Sequence, residues 1–489
     1  MFFISTKNSK LICNFQQAVT GMPNIKQDGV FVPSFLPSLS SQQIRKLCKL
    51  TYQEILIEII YTMCDKSIDK NILNEIVNDA FKDFNRGFGS NSSSEVKTNS
   101  DVFTMQDFSD IFKIANLTHG PTGCCKDYGH CLTASFLNYF AKKEGKRRSI
   151  IEASDGLSGP SISWAVKDKD YLNCFIILKN GCDASCKALM TQATRNSNNI
   201  KYISVDSDQN FINEIRYNIE NNLSLTDISN MSFIKGQNIL NVLAYLPVFF
   251  KIYANLDYTP FCVSIPTNNM TMAMAGFFAR KLGIRIKKIV LATEKNDFLI
   301  DMQQKQVLLN NNNVEESCTT FDANIPTNFE RLLFYLYNTN QASVKRLMRE
   351  LMKSGKCEVS NDLLVAFNEI FYVSKGNNQF AIRKNISSLV KEKNIHVEQH
   401  FALAKICAEQ ALEKITDDAR GCSIVLFNTL DFRRNVNFIN ASLGYTIEHI
   451  QYPWNDDDIK LFSKDEVKSN ITEVLNYMVS YFDDNMKNQ

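Results

Sequence analysis

Three stretches of this chain hold residues whose types and spacing could do chemistry. The first runs His119-Gly-Pro-Thr-Gly-Cys-Cys-Lys126-Asp127-Tyr-Gly129. Small and apolar neighbours desolvate a lysine and disfavour its ammonium form, and a neutral amine can condense with an aldehyde. The plainer reading is a surface lysine after a Gly-Pro turn. The second runs Ser264-Ile-Pro-Thr-Asn-Asn-Met-Thr271 into a helical pattern through Ala273, Gly276 and Lys281. A polar turn feeding a helix presents unpaired N–H groups and a positive dipole end, which suit a phosphate. A simple N-cap by Thr267, Asn268 or Asn269 would explain the same residues without a ligand. The third, Glu152-Ala-Ser-Asp-Gly-Leu-Ser-Gly159, could wrap a carboxylate or form an ordinary turn.

Other constellations carry less. His396 and His400 stand four apart with Glu398 between them, without the His-Glu-x-x-His order of a helical zinc site. Cys182 and Cys186 lack a second cysteine pair at zinc-site spacing. No metal is expected. Gly-x-Ser-x-Gly and the P-loop pattern are both missing, which removes the simplest support for a serine hydrolase or a P-loop nucleotidase.

The elements that must position these residues alternate in type. Short β-branched and apolar runs end in turn residues at Cys174–Leu178, Tyr202–Val205, Phe261–Ile265, Ile286–Ala292 and Ser423–Phe427. Helical patterns lie between them at Ala184–Ala193, Met270–Leu282, Asn328–Tyr337 and His400–Leu412. Strand-then-helix alternation predicts parallel sheets covered by helices on both faces. Ligands in such sheets bind beyond the C-terminal strand ends, so the turn after Ile265 is a prime location. Ser90–Asp101 and Asn310–Ser317 read as polar surface loops.

Composition sets the outer limits. A chain of 489 residues suits two or three domains. Apolar residues at 44% and a net charge of +2 give no reason to expect a nucleic-acid partner or a polybasic membrane surface. The 14 cysteines are scattered, which fits reduced thiols in a cytoplasmic protein. The N-terminus has no signal-peptide pattern, and Pro247 and Lys251 interrupt the most apolar stretch, so no membrane span is expected.

These stretches occur in the order found in threonine synthases, particularly the long form of fungi and many bacteria. Phe3-Ile-Ser-Thr6 resembles that family's opening Tyr-x-Ser-Thr-Arg, and Asp28-Gly-Val-Phe-Val-Pro33 resembles its Asp-Gly-Gly-Leu-x-Val-Pro. Leu117 to Thr122 with Lys126-Asp127 is similar to His-Gly-Pro-Thr-x-x-x-Lys-Asp, whose lysine carries pyridoxal 5'-phosphate. Val263 to Asn268, and Ala275-Gly-x-x-Ala-x-Lys281-x-Gly283, resemble the phosphate loop and its helix. Ala292-Thr-x-x-Asn296-Asp297, Asn328-Phe-Glu-Arg331 and Glu398-Gln-His400-x-Ala402 also match, the last explaining His400 without a metal.

Four stretches depart from the pattern. The family's Gly-Asn-Phe-Gly becomes Asn268-Asn-Met-Thr271, and its Ser-Gly-Asp-Thr-Gly becomes Ser154-Asp-Gly-Leu-Ser-Gly159. Its Ser-x-Asn-Trp-Ala-Arg becomes Gly236-Gln-Asn238-Ile-Leu-Asn241, with Asn in place of an Arg suited to a substrate phosphate. Its Thr-Ala-His-Pro-Ala-Lys-Phe becomes Thr429-Leu-Asp-Phe, read as a deletion that removes the His and Lys.

The resemblance implies an α/β protein of the pyridoxal-phosphate fold type II. It would have two open, twisted, mostly parallel sheets flanked by helices, with a helical N-terminal subdomain over residues 1–100. The coenzyme lysine would lie in a domain at 101–225 and the phosphate loop in a second at 226–489. Lys126 would be catalytic. Asp127, Thr267, Asn268, Asn269, Met270, Thr271 and Thr429 would join it around the coenzyme. Thr122, Ser154, Asp155, Ser158 and Asn238 would meet an amino-acid substrate. The implied reaction is that of a lyase converting O-phospho-L-homoserine and water to L-threonine and phosphate. The departures leave open another amino-acid substrate, or a binding protein that keeps only the fold.

Overall fold

The computed structural model describes the chain apart from residues 22–27, 85–101, 155, 180–181, 207–213, 216–217, 219–230, 233, 235–237, 268, 311–324, 377, 416, 418–419, 449, 468–469, 471, 479 and 481–489. Asp155, Asn268 and nearly all of the two expected polar loops therefore fall outside the described residues.

A six-stranded sheet carries the larger core. Its order is β14 (Phe371–Lys375), β11 (Ile286–Thr293), β10 (Phe261–Pro266), β15 (Ser423–Asn428), β5 (Phe112–Asn116) and β4 (Thr104–Asp107). Every pair is parallel except β4 with β5. β10 is buried at every residue, as a strand covered on both faces requires. Side chains alternate between two cores with the period of two that strands impose. Val263, Ile265, Ile289, Leu291, Val425 and Phe427 face one, against the helix Thr271–Leu282. Cys262, Val290, Ala292, Ile424 and Leu426 face the other, against the helix Gln399–Leu412.

The second sheet is parallel throughout, in the order β16 (Asp465–Val467), β8 (Ile200–Val205), β7 (Leu172–Lys179), β6 (Arg148–Ser154) and β9 (Met231–Ser232). The helix Lys126–Glu144 leaves β5 of the large sheet and delivers the chain to β6 of the small one. It stops at Gly145, whose φ of 66° closes the helix in the left-handed conformation.

The chain segments expected as domains do not coincide with the sheets. β4 and β5 come from the 101–225 segment yet complete the large sheet, while β9 and β16 come from the 226–489 segment and pair in the small one. The N-terminal region is also more than helical. Helices Ser41–Cys48, Tyr52–Met63 and Lys70–Phe81, capped by Ser40, Thr51 and Asp69, stand beside an antiparallel sheet of β2 (Ile12–Cys13), β1 (Phe3–Ser5) and β3 (Phe31–Pro33). β12 (Val307–Leu309) and β13 (Lys356–Glu358), separated in the chain by two helices, pair as a small antiparallel sheet. Among the described residues no helix is long and apolar enough to cross a membrane.

Candidate active site

β5, β15 and β10 are neighbours and parallel, so their C-terminal ends open on one edge of the large sheet. β5 leads into the loop that ends at Lys126, β15 into Thr429, and β10 into Thr267–Thr271. The first two loops are stitched together beyond the sheet. The Leu117 N–H donates to Asn428 O at 2.9 Å, Cys125 N–H to Thr429 O at 2.8 Å, and Asp431 N–H to Gly123 O at 2.8 Å. The Tyr245 hydroxyl donates to Cys125 O at 2.5 Å. Lys126, half-buried, thus opens its helix at a fixed position beside Thr429. The positive end of that helix opposes an ammonium at its first residue.

Asp127 organises the loop from within. Its buried carboxylate accepts from Thr122 N–H at 2.9 Å and the Thr122 hydroxyl at 2.7 Å. Burial pushes the carboxyl above its ordinary range, while Thr122, Ser161 and the nearby Arg434 pull it down. Gly120 is required here, since a Cβ would sit 2.3 Å from Asp127 Oδ2. Both Thr122 donors therefore serve Asp127, which argues against Thr122 as a direct substrate contact.

Arg434 is the residue that motif reading missed. It is buried and donates to Thr122 O at 2.6 Å, to Ser185 Oγ at 3.3 Å and to Cys186 Sγ at 3.5 Å. It clamps the Lys126 loop to the helix Ala184–Thr194 beside the small sheet. The stretch after Thr429 also reads without a gap. Arg434 stands five residues past Thr429, the spacing of the lysine in Thr-Ala-His-Pro-Ala-Lys-Phe, so a cation persists there. Counting that spacing without a gap would have found it. Asp431, at the histidine position, pairs with Arg433 instead.

The Ser154 loop reaches the site from β6. Ser154 Oγ accepts from Gly156 N–H at 3.1 Å and Gly159 N–H at 2.7 Å, and lies 3.3 Å from Ser158 Oγ. Its hydroxyl shapes its own turn. Ser158 is buried as the first residue of the helix Ser158–Val166. Leu157 packs with Cys124 and Leu430, so an apolar contact joins the loops from β6, β5 and β15.

The phosphate-loop candidate folds around Asn269. Its side-chain oxygen accepts from Thr271 N–H at 3.1 Å and the Thr271 hydroxyl at 2.6 Å. The buried Met270 adopts the left-handed conformation at φ 60° and ψ 20°, although a side chain disfavours it by about 1–2 kcal/mol. Burial of the Met270 side chain offsets the strain. The first bond of the helix is Met274 N–H to Met270 O at 2.8 Å. The N–H groups of Met272 and Ala273 precede it and have no intrahelical acceptor, so the helix start still fits a phosphate. Thr267 is buried, its hydroxyl turned to Ile265 O at 3.1 Å.

Asn238 takes a different role from the one expected. It caps the short helix Ile239–Leu243 and donates to Val19 O at 2.8 Å, work that belongs to the fold. Asn241 packs on the Lys126 helix, its Oδ1 2.3 Å from where a Gly129 Cβ would lie. His400 is engaged by Glu398, the N-cap of its helix. Among the described residues no cluster of three His, Cys, Asp or Glu side chains could hold a metal.

Comparisons with known proteins agree with this architecture. The family model described as threonine synthase N terminus matches residues 2–81. Threonine synthase of Saccharomyces cerevisiae is 24% identical over 449 residues, 85% of this chain and 84% of that protein. Threonine synthase-like 2 of Xenopus laevis is 22% identical over 344 residues, 68% of this chain and 69% of its own. The solved structure of pyridoxal-phosphate-bound threonine synthase from Brucella melitensis superimposes with a TM-score of 0.87 over 98% of both chains at 21% identity. The yeast threonine synthase structure gives 0.84 over 98% of both at 19%. Matched along most of its length, and with three loops converging on Lys126, this chain has the fold of the solved threonine synthases and is similar to them in sequence.

Proposed function

We propose that this protein is a pyridoxal-phosphate-dependent lyase of threonine synthase type, in a reducing, cytoplasmic setting. The observation that carries the reading is the convergence at one sheet edge of Lys126, Thr429 and the start of a twelve-residue helix. Lys126 would hold the coenzyme aldehyde. The N–H groups of Met272 and Ala273, with the loop of Asn269 and Thr271, would take its phosphate, and Thr429 its ring nitrogen. When bound, the coenzyme supplies an electron sink for a carbanion at the substrate Cα.

This chain's own residues do the rest. Lys126 Nζ would remove the Cα proton and return protons later in the reaction. Asp127, Thr122 and Arg434 fix the loop so that Nζ stays within reach. The Ser154–Ser158 turn and its helix N-terminus receive the substrate carboxylate. The finer proposal is that O-phospho-L-homoserine loses its γ-phosphate and that water adds at Cβ, giving L-threonine.

A second reading has a specific observation behind it. Cys124, Leu157 and Leu430 pack between the loops, and Asn241 stands in place of an arginine. Both favour an amino acid whose side chain carries no phosphate. The decisive test is an absorbance titration with pyridoxal phosphate on wild type and Lys126→Ala, followed by phosphate release from O-phospho-L-homoserine. A Lys126-dependent band with phosphate release supports the first reading. A band without release supports the second. No band at saturating coenzyme overturns both.

A further inference from the structure

The phosphate loop is held from outside as well as from within. Asn328 is fully buried at the start of the helix Phe329–Leu336. Its backbone N–H donates to Asn269 O at 3.1 Å, and its side-chain Nδ2 donates to the same oxygen at 3.0 Å. Nδ2 also reaches Thr271 Oγ1 at 3.1 Å. The loop residue on each side of Met270 is thus tied to one asparagine. Met270 between them holds the strained left-handed conformation, which the chain would leave if those ties were cut.

Asn328 is itself fixed. Its Oδ1 accepts from Arg331 Nη1, and Arg331 Nε donates to Phe31 O in β3 at 3.0 Å. Arg331 is fully buried, and burial pulls its pKa down to about 10, so it keeps its charge at neutral pH. The adjoining Glu330 pairs with Lys7 at 2.6 Å, both side chains buried, and with Thr6. A hydrogen-bonded path therefore runs from the first strands of the chain through Arg331 and Asn328 to the loop.

Resting on the coenzyme reading above, we infer that Asn328 is a positioning residue for the coenzyme phosphate, aiming the first-turn N–H groups of the helix Thr271–Leu282 and anchored through Arg331 to the N-terminal sheet. The amide never touches the phosphate; it sets the shape of the backbone that does. Loss of Nδ2 leaves the buried Thr271 Oγ1 without its donor and weakens the hold on Asn269 O.

The test compares pyridoxal phosphate with pyridoxal, which lacks the phosphate, by absorbance titration of wild type, Asn328→Ala, Thr271→Val and Lys126→Ala. Asn328→Ala is expected to weaken pyridoxal phosphate about tenfold or more and Thr271→Val about threefold, with pyridoxal within twofold of wild type. The melting temperature of each coenzyme-free variant, measured alongside, shows that it folds. Should Asn328→Ala fail to fold, Asn328→Asp, which keeps the acceptor for Arg331 and loses both Nδ2 donations, carries the same comparison. Equal weakening of both ligands, or no weakening of either, overturns the inference while the Lys126-dependent band of wild type still stands. Absence of that band in wild type overturns the coenzyme reading and this inference with it.

Discussion

Replacing Arg434 by Met removes a buried fork of donors while keeping similar bulk. The bond to Thr122 O at 2.6 Å is short and charge-assisted, and its loss costs about 1.5–3 kcal/mol. The contacts to Ser185 at 3.3 Å and Cys186 at 3.5 Å are longer and add about 0.5 kcal/mol each. Together they lower the opening free energy of the Lys126 loop by about 3 kcal/mol, or roughly 100-fold in its opening equilibrium. Hydrogen exchange by mass spectrometry reads this directly. Peptides spanning residues 117–128 should exchange about 100-fold faster in Arg434→Met, and those of helices 41–48 and 52–63 should not change. Arg434→Lys can keep one acceptor but not the fork, so an intermediate acceleration of about tenfold is expected. Acceleration below threefold in residues 117–128 refutes the clamp. Equal acceleration across the whole chain refutes its locality.

Two further perturbations test other parts of the argument. Burial raises the Asp127 carboxyl above its unfolded value, so the native chain keeps a proton that the unfolded chain releases. The stability tied to this group is fully present below pH about 4 and is lost as pH rises through the folded pKa. Exchange in residues 117–128, corrected for intrinsic rate, should show that loss in wild type and not in Asp127→Asn; matching profiles would contradict it. Gln306 is exposed and sits at φ 56° where the helix Phe298–Lys305 ends, so Gln306→Gly should stabilise by about 1 kcal/mol and raise Tm by about 2 °C in a melting scan. A lower Tm would show that the side chain does more than cap.

What could be read from sequence follows from which signals are local. β7, β8, β10, β11 and β15 all fall on the apolar runs that mark them, because strands covered on both faces need unbroken β-branched stretches. β5 was missed: Phe-Lys-Ile-Ala-Asn is short, and Lys113 interrupts it to pair with Asp107 of β4. The two-residue β2 and the charged β16 carry too little pattern to find. Lys126 was legible through its motif. The uses of Thr122, Ser154 and Asn238 were not, because the carboxylate, turn and carbonyl that engage them come together only in the fold. Arg434 was hidden by an assumed gap, although its spacing from Thr429 was present in the letters.

The position of β16 bears on how the chain is made. The Ile200–Val205 strand is paired on one side by β7, and among the described residues its other edge is covered by residues 465–467 alone. During synthesis at roughly 5–20 residues per second, that apolar edge waits on the order of 13–50 s for its partner to leave the ribosome. An open edge of this composition is a template for pairing with other chains. Nascent protein is thus most exposed to aggregation in that interval, and a truncation just before residue 465 would make the interval permanent.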